Sequence, residues 1–487
     1  MKPTAYDIIV IGAGSGGLGI SLFMAKVGMK TLLIDKSDEH IGGDCLNFGC
    51  VPSKALIHVS RIVHQAKEAT QFGYTISGKP DIAKAMEYVS SRQIIIRQHE
   101  NAEYLRSEGL DIVLGLASFH SPNSVRVGDA IYTGKKIVLA TGSRPTPLQV
   151  PGAEKVRQYN NESIFDSRDL PNRLLVVGGG PIGIEIGQAL HRLGIHVTIV
   201  HRGAFILPND DQDISLILLE RLKVEGIEFI LNTEVKEFTS AHEATIIDKD
   251  GRINTVTFDA VFVAVGRTIE LEQLELGKAG ITVRNKKIQV NAYLQTSNKH
   301  VFTCGDVSGS LQFSHAAEQH ARLLLNNLFS PFKKKLSNDH MSWVTFTDPE
   351  VATFGILGKQ LADKNRPFEK LVMNFEDDDR AVTDNYRFGK LVLYLTKGSL
   401  FSKQKILGGT MIAPGAGELI QELILANSAG ISVNAIFNKV YPYPVAARVN
   451  QMIIVKHKEK KLTGGLKKLL QVAYKILNKR IWNGSLT

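Results

Sequence analysis

The feature that most constrains this fold is a pattern the chain carries twice: an apolar strand, a glycine loop, a helix and a second strand. In the first copy a strand at residues 8–11 runs into Gly12, Gly14 and Gly17. A helix follows through Ala25, and a second strand at 31–35 ends on Asp35. The second copy spans 174–200, with Gly178, Gly180 and Gly183 in the loop and 197–200 as its second strand. Glycines at this spacing leave no side chain between a pyrophosphate and the N–H groups at the start of the helix. One such loop also fits an ordinary turn. Two, each between strand and helix, predict two doubly wound segments and two bound dinucleotides.

Cys45 and Cys50 stand five positions apart, about thirty residues beyond the first loop, with Pro52 and Lys54 just after them. A disulfide across so short a loop recovers little chain entropy, so stapling explains the pair poorly. A thiol near the first turn of a helix has its thiolate stabilised and its pKa lowered. The pair therefore reads as redox-active, and the dinucleotide beside it as a flavin. The alternative is half of a tetrahedral metal site, since His58 and His64 follow. The surrounding glycine loops account for a redox pair and not for a zinc site, so no metal is expected.

At 487 residues the chain exceeds one core and suggests two to four domains. Cys304 is the third and last cysteine, which excludes a secreted disulfide scaffold and points to a reducing cytosol. It reads as a small buried core residue. The strand beginning near residue 7 leaves no room for a signal peptide, and apolar runs are shorter than ~18 residues or broken by charge, as at Glu185. The net charge of +10 is uneven: residues 456–487 hold eight Lys and one Arg against one Glu, leaving +2 for the rest. No nucleic-acid-binding face is expected.

Two further strands end in glycine, at 137–145 with Thr141 and Gly142, and at 261–267 with Gly266 and Arg267. Spacing predicts helices over 54–67 and 81–107. Beyond 335 the composition becomes a βαβ-like mixture through 455.

Together, Gly12/Gly14/Gly17, Cys45-x4-Cys50-Val51-Pro52-Ser53-Lys54, Ala140-Thr141-Gly142, Gly178/Gly180/Gly183, Gly266-Arg267 and Cys304-Gly305-Asp306 occur in an order that resembles the class I pyridine nucleotide–disulfide oxidoreductases. That family includes dihydrolipoamide dehydrogenase, glutathione reductase and the core of mercuric reductase. The resemblance covers roughly residues 5–455, and the segment 313–318 looks most like the mercuric-reductase-like branch. It implies an α/β fold: a split FAD domain (1–149 and 271–338) around an NAD(P) domain (150–270), then an α/β dimerisation domain (339–455) and a basic tail (456–487). A homodimer is implied, because the family's active site borrows residues from the other subunit.

By the same resemblance, Asp35 would bind the adenosine ribose of FAD and Asp306, with Gly305 allowing close approach, its ribityl chain. Cys50 would be the charge-transfer thiol and Cys45 the interchange thiol. Lys54 would lie near the flavin and pair with Glu185. For the nicotinamide, the strand 197–200 is followed by His201 and Arg202, with no acid until Asp210. NAD users place an acid there, so NADPH is favoured over NADH.

The pattern breaks near the C-terminus. Disulfide-reducing members carry a His-Pro pair with a following Glu. Here Tyr443 stands at the His position and Arg448 at the Glu position, and no His falls between His340 and His457. Tyrosine, with a pKa near 10, is a poor proton acceptor, so weak turnover of lipoamide or glutathione disulfide is expected. No cysteine follows Cys304, so the vicinal C-terminal pair usual in mercuric reductase is absent too.

From Leu466 to Trp482, Leu466, Leu469, Leu470, Ala473, Ile476, Leu477 and Ile481 fall on one helical stripe, with Lys467, Lys468, Lys475 and Lys479 elsewhere around the wheel. Such a helix fits peripheral contact with an anionic inner-membrane surface, or docking onto its own dimer. The leading expectation is a cytoplasmic FAD-dependent NAD(P)H oxidoreductase cycling Cys45 and Cys50, acting on a disulfide or a small electron acceptor. The alternatives are a quinone or metal-ion reductase using the flavin directly, and a non-catalytic, membrane-associated redox-sensing flavoprotein.

Overall fold

The first glycine pattern folds as β1 (Thr4–Ile11), α1 (Ser15–Lys26) and β2 (Thr31–Asp35). Ile8, Ile9 and Val10 are fully buried, as expected of a central parallel strand covered on both faces. In this computed structural model, which describes residues 4–398 and 403–482, β1 pairs in parallel with β2 on one side and with Ala130–Leu139 on the other. The sheet runs Asp111–Leu114, β2, β1, Ala130–Leu139, Ser124–Val127, Ala117–Ser121. The far half of Ala130–Leu139 also pairs in parallel with Val301–Thr303, so the chain leaves this sheet and returns to it.

The intervening residues build a second, all-parallel sheet in the order Glu228–Leu231, His196–His201, Arg173–Val177, Ala260–Val263, Gln158–Tyr159. The helix Pro181–Arg192 follows its glycine loop.

Helix starts depart from the spacing-based expectation at the cysteines. A short α2 (Gly43–Asn47) carries Cys45, and α3 (Cys50–Glu68) begins on Cys50 itself. Proline is tolerated in a first turn because its missing N–H has no intrahelical partner there, so Pro52 does not delay the helix. The segment 81–107 is two helices, α4 (Ile82–Arg97) and Ala102–Ser107. Asn101 separates them by capping the second, its side chain accepting from the N–H of Tyr104 at 2.8 Å.

The chain divides into two compact units, Met1–Pro208 with Leu219–Ser337, and Asn209–Leu218 with Asn338–Thr487. The second is built on an antiparallel sheet, Ser342–Thr345, Glu350–Gly355, Ile406–Ala413, Lys390–Thr396, Phe368–Asn374, and not on βαβ crossovers. Its central strand, Ile406–Ala413, is buried along its whole length although both its pairings are antiparallel. Residues 209–218 belong to this unit: Asp210 accepts from the Trp343 indole N–H (2.8 Å) and the Thr353 hydroxyl (2.5 Å), and Asp211 from the Tyr394 hydroxyl (2.5 Å).

Helix Val449–Lys460 runs through the expected boundary at 455, and a further helix, Gly464–Trp482, starts on the Gly464–Gly465 pair. Side chains from Lys479 onward, including Ile481 and Trp482, lie outside the described residues. Among the described residues no helix is long and apolar enough to cross a membrane.

Candidate active site

The two glycine loops are built alike. A Cβ on Gly12 (φ +105°) would fall 2.3 Å from the carbonyl oxygen of Ala140, and one on Gly178 (φ +122°) 2.3 Å from that of Ala264. A Cβ on Gly17 would sit 1.9 Å from the Gly12 carbonyl, and on Gly183 2.3 Å from that of Gly178. Each loop thus presses against the end of a neighbouring strand, the one leading to Thr141 and Gly142 or the one leading to Gly266. Gly14 and Gly180 are the N-caps of their helices and offer no side chain to the first N–H groups. Both helix starts therefore remain available to an anion.

Around the first loop, Asp35 closes β2 with its carboxylate accepting from the backbone N–H of Ala13 (2.6 Å) and of Lys36 (2.7 Å). Burial pushes its carboxyl up from the ordinary value despite these bonds. At the second loop, the His201 ring folds onto the glycines and its Nδ1 accepts from the Gly179 N–H at 3.1 Å. Burial lowers its pKa, which favours the neutral ring. Arg202, next to it, is exposed.

The cysteines sit where α2 turns into α3. Both are free thiols, and the Cys50 Sγ lies 3.6 Å from the Ser314 hydroxyl. Their environments differ in sign. The Cys50 thiol is lowered to about 6 by its hydrogen bond with Cys45, aided by Ser314 and by the Lys54 charge one turn along α3. The Cys45 thiol is raised, chiefly by the same hydrogen bond and by burial. The pair therefore holds one proton on Cys45 and negative charge on Cys50, at the N-terminus of α3 where the helix dipole favours an anion. Lys54 Nζ donates to Glu185 Oε2 at 2.7 Å, and Glu185 is almost wholly buried on the helix Pro181–Arg192.

A polar cluster joins these parts, and sequence reasoning saw only its edges. The Ser143 hydroxyl donates to Asp306 Oδ2 (2.5 Å) and accepts from Arg267 Nε (2.7 Å). Arg267 also reaches Asp44 Oδ1 at 3.1 Å, and Asn161 donates to that same oxygen at 3.2 Å. Asp306, following Gly305 (φ +76°), is raised by burial. Ser143 and Arg267 each lie next to a glycine of an expected motif, which was the available signal; Asp44 and Asn161 gave none.

Other candidates have partners of their own. His58 stacks on Tyr88 and His64 pairs with Glu68. Among the described residues no three His, Cys, Asp or Glu side chains are gathered to hold a metal. Cys304 is buried, its thiol donating to the Ala317 carbonyl at 3.4 Å. In the second unit, the exposed Tyr443 hydroxyl donates to Asp379 Oδ2 at 2.9 Å, and Arg448 lies over its ring at 5.6 Å. The hydrogen bond to Asp379 raises the Tyr443 pKa.

Residues 6–321 match the pyridine nucleotide-disulphide oxidoreductase family, and 341–453 its dimerisation domain. The chain belongs to that family. As a pyridine nucleotide–disulfide oxidoreductase it is an FAD-dependent enzyme using NAD(P), and it carries the dimerisation domain. It is 31% identical over 458 residues to a dihydrolipoyl dehydrogenase of Mycoplasma pneumoniae, covering 92% of this chain and 97% of that one. It is 28% identical over 442 residues to a mercuric reductase of Staphylococcus aureus, covering 90% and 80%. The Cu(II) complex of the HOCl-induced flavoprotein disulfide reductase RclA from Escherichia coli shares the fold at 23% identity, with a TM-score of 0.80 over 93% of this chain and 99% of that one.

Proposed function

We propose that this oxidoreductase cycles Cys45 and Cys50 between disulfide and dithiol, passing electrons between a nicotinamide and a small disulfide other than lipoamide. The observation that carries this reading is the opposed environment of the two thiols: Cys50 tuned to be a thiolate at a helix start, Cys45 held protonated.

In this reading Gly12, Gly14, Gly17, Asp35, Thr141, Gly142, Gly305 and Asp306 hold FAD, with Lys54 near its ring. The loop cradles that a Cβ would fill support the assignment. Bound there, FAD would accept a hydride and relay two electrons. Gly178, Gly180, Gly183, Gly266, His201 and Arg202 hold the nicotinamide dinucleotide. We favour NADPH over NADH: no acid follows the strand His196–His201, and Arg202 is free to meet a 2′-phosphate while neutral His201 shapes the loop. Glu185 keeps the Lys54 ammonium in place. The enzyme acts as a cytoplasmic homodimer, with the helix Gly464–Trp482 as a peripheral contact with anionic membrane.

A second reading, direct reduction of a quinone or metal ion, is favoured by one observation. Tyr443, at the position of the family's proton-handling His, donates to Asp379 and has its pKa raised, so it is no general base. General acid–base help contributes roughly 10²–10⁴ in rate. Lipoamide turnover should therefore fall far below NADPH oxidation by an artificial quinone. The Cys45→Ser enzyme, assayed with NADPH against a disulfide and a quinone, separates the readings. The first predicts loss of disulfide turnover; retention of all activity would overturn it.

A further inference from the structure

The cysteine pair needs a proton acceptor, and Tyr443 cannot be one. Beside Cys45 lies a narrow cavity of about 60 Å³ lined by Cys45, Glu100, Ser15, Gly42 and the apolar Leu18, Leu46, Val51 and Ile96. Cys45 and Glu100 are the only ionisable groups among the lining residues. Glu100 stands in the turn between α4 and the helix Ala102–Ser107. Its carboxylate reaches α2 because residue 42 is glycine: a Cβ there would lie 2.5 Å from Glu100 Oε2.

The electrostatics suit a proton carrier. Burial raises the Glu100 carboxyl, and the one cation lowering it is Arg97. The Arg97 guanidinium is itself engaged, donating to the Asn47 side chain and to the Glu39 carbonyl. Cys45 is faced by Cys50, by the Ser314 hydroxyl and by Glu100; Cys50 is faced by Lys54 and Asp44. Glu100 is thus the carboxylate placed at the thiol that has to lose its proton.

We propose that Glu100 is the acid–base residue for Cys45, taking the thiol proton as Cys45 attacks a substrate disulfide and returning it to the departing thiol. This rests on the disulfide reading above. The Cys45 thiol gives its proton to the Glu100 carboxylate, and the sulfur attacks one sulfur of RS–SR′. A Cys45–SR mixed disulfide forms, the RS–SR′ bond breaks, and R′S⁻ takes the proton from Glu100. The Cys50 thiolate then attacks the Cys45 sulfur, closing the Cys45–Cys50 disulfide and expelling RS⁻, which is protonated by solvent. The substrate disulfide is reduced to two thiols and the cysteine pair is oxidised, two electrons in each. A carboxylate as the one charged group among mostly apolar walls, with the Ser15 hydroxyl, disfavours an anionic disulfide.

The test compares flavin-loaded wild-type, Glu100→Gln and Glu100→Asp enzymes on hydroxyethyl disulfide across pH, with 4,4′-dithiodipyridine as a substrate whose leaving thiol needs no proton. Wild type should show a plateau around neutral pH. Glu100→Gln should lose on the order of 10²-fold in kcat/KM on hydroxyethyl disulfide at neutral pH, and its residual rate should climb about tenfold per pH unit as Cys45 ionises unaided. It should lose less on dithiodipyridine, where only the base half of the role is missed. Glu100→Asp should keep the plateau at a lower rate. A Glu100→Gln profile with wild-type shape, whether at full rate or uniformly reduced, overturns the proposal while the disulfide reading stands. A wild-type enzyme that turns over neither disulfide overturns both.

Discussion

Lys54 on α3 and Glu185 on the helix Pro181–Arg192 meet at 2.7 Å, the lysine about one-third exposed and the glutamate 7% exposed. The pair ties the helix that carries Cys50 to the helix that follows the second glycine loop. It is a tether between the two dinucleotide segments as well as a charge near the thiols.

Removing one partner of such a pair leaves a desolvated charge behind. Lys54→Met should therefore destabilise the protein by about 2–4 kcal/mol, more than an exposed ion pair would. Adding Glu185→Leu should recover part of that loss. Urea unfolding of the two single variants and the double variant measures the coupling, expected at about 1–3 kcal/mol. A coupling near zero would show that the contact carries no energy.

The Cys50 thiol, lowered to about 6, should remain a thiolate at neutral pH. In the flavin-loaded Cys45→Ser protein a long-wavelength absorption band from thiolate to flavin is expected. It should fade on acidification, at a higher pH than the wild-type Cys50 thiol would titrate, because the substitution removes the Cys45 thiol whose hydrogen bond chiefly lowers Cys50 and protonation then removes the donor. Cys50→Ser should lack the band at every pH. Absorbance titration of the two variants distinguishes these outcomes, and a band in Cys50→Ser would reverse the assignment of the two sulfurs.

How much of this was legible in the sequence follows from how local each constraint is. The glycine loops could be read because the need for a bare backbone at Gly12 and Gly178 is written into consecutive residues. Their counterparts Ala140 and Ala264 lie far along the chain, and only pairing in the sheet brings them in. The helix α3 starts at Cys50, four residues ahead of the 54–67 expected from spacing, because a first turn tolerates Pro52. Beyond 335 the composition suggests a βαβ-like mixture, whereas the pairings are antiparallel; the strand Ile406–Ala413 is buried along its whole length, so no alternation marks it. Asp210 looked like the first acid after a nucleotide-binding strand, yet its partners are Trp343 and Thr353. Glu100 is one of 48 acidic residues, and nothing near it in sequence says that it lines the cavity of Cys45.

Asp210 also sets a pH dependence. Burial raises its carboxyl from the ordinary 3.8 to about 6, against the lowering effect of its bonds from Thr353 and Trp343. The folded state thus binds this proton more tightly than the unfolded chain. Its stabilising contribution is complete below about pH 4 and is lost as pH rises through about 6. Asp210→Asn keeps an oxygen acceptor for Trp343 and Thr353 and cannot ionise. It should be more stable than wild type by about 2–3 kcal/mol at alkaline pH, with the difference shrinking toward acid. Chemical denaturation at several pH values tests this; a pH-independent difference would refute it.

The C-terminal helix presents a different balance. Leu469, Ile476 and Leu477 are 64%, 64% and 77% exposed, and Leu470 and Val472 about half exposed. The family match ends at residue 453, so this helix lies beyond the matched core. An uncovered apolar stripe flanked by lysines suits an anionic bilayer, where each cation adds about 1 kcal/mol near the headgroups. The full chain should sediment with phosphatidylglycerol-rich vesicles, should ignore phosphatidylcholine ones, and should come off at high salt as screening shortens the reach of the charges. Deleting 460–487 should abolish sedimentation. If the deletion leaves binding unchanged, the membrane contact is excluded; if it instead lowers dimer stability with no vesicle binding by either form, the stripe belongs to the subunit interface.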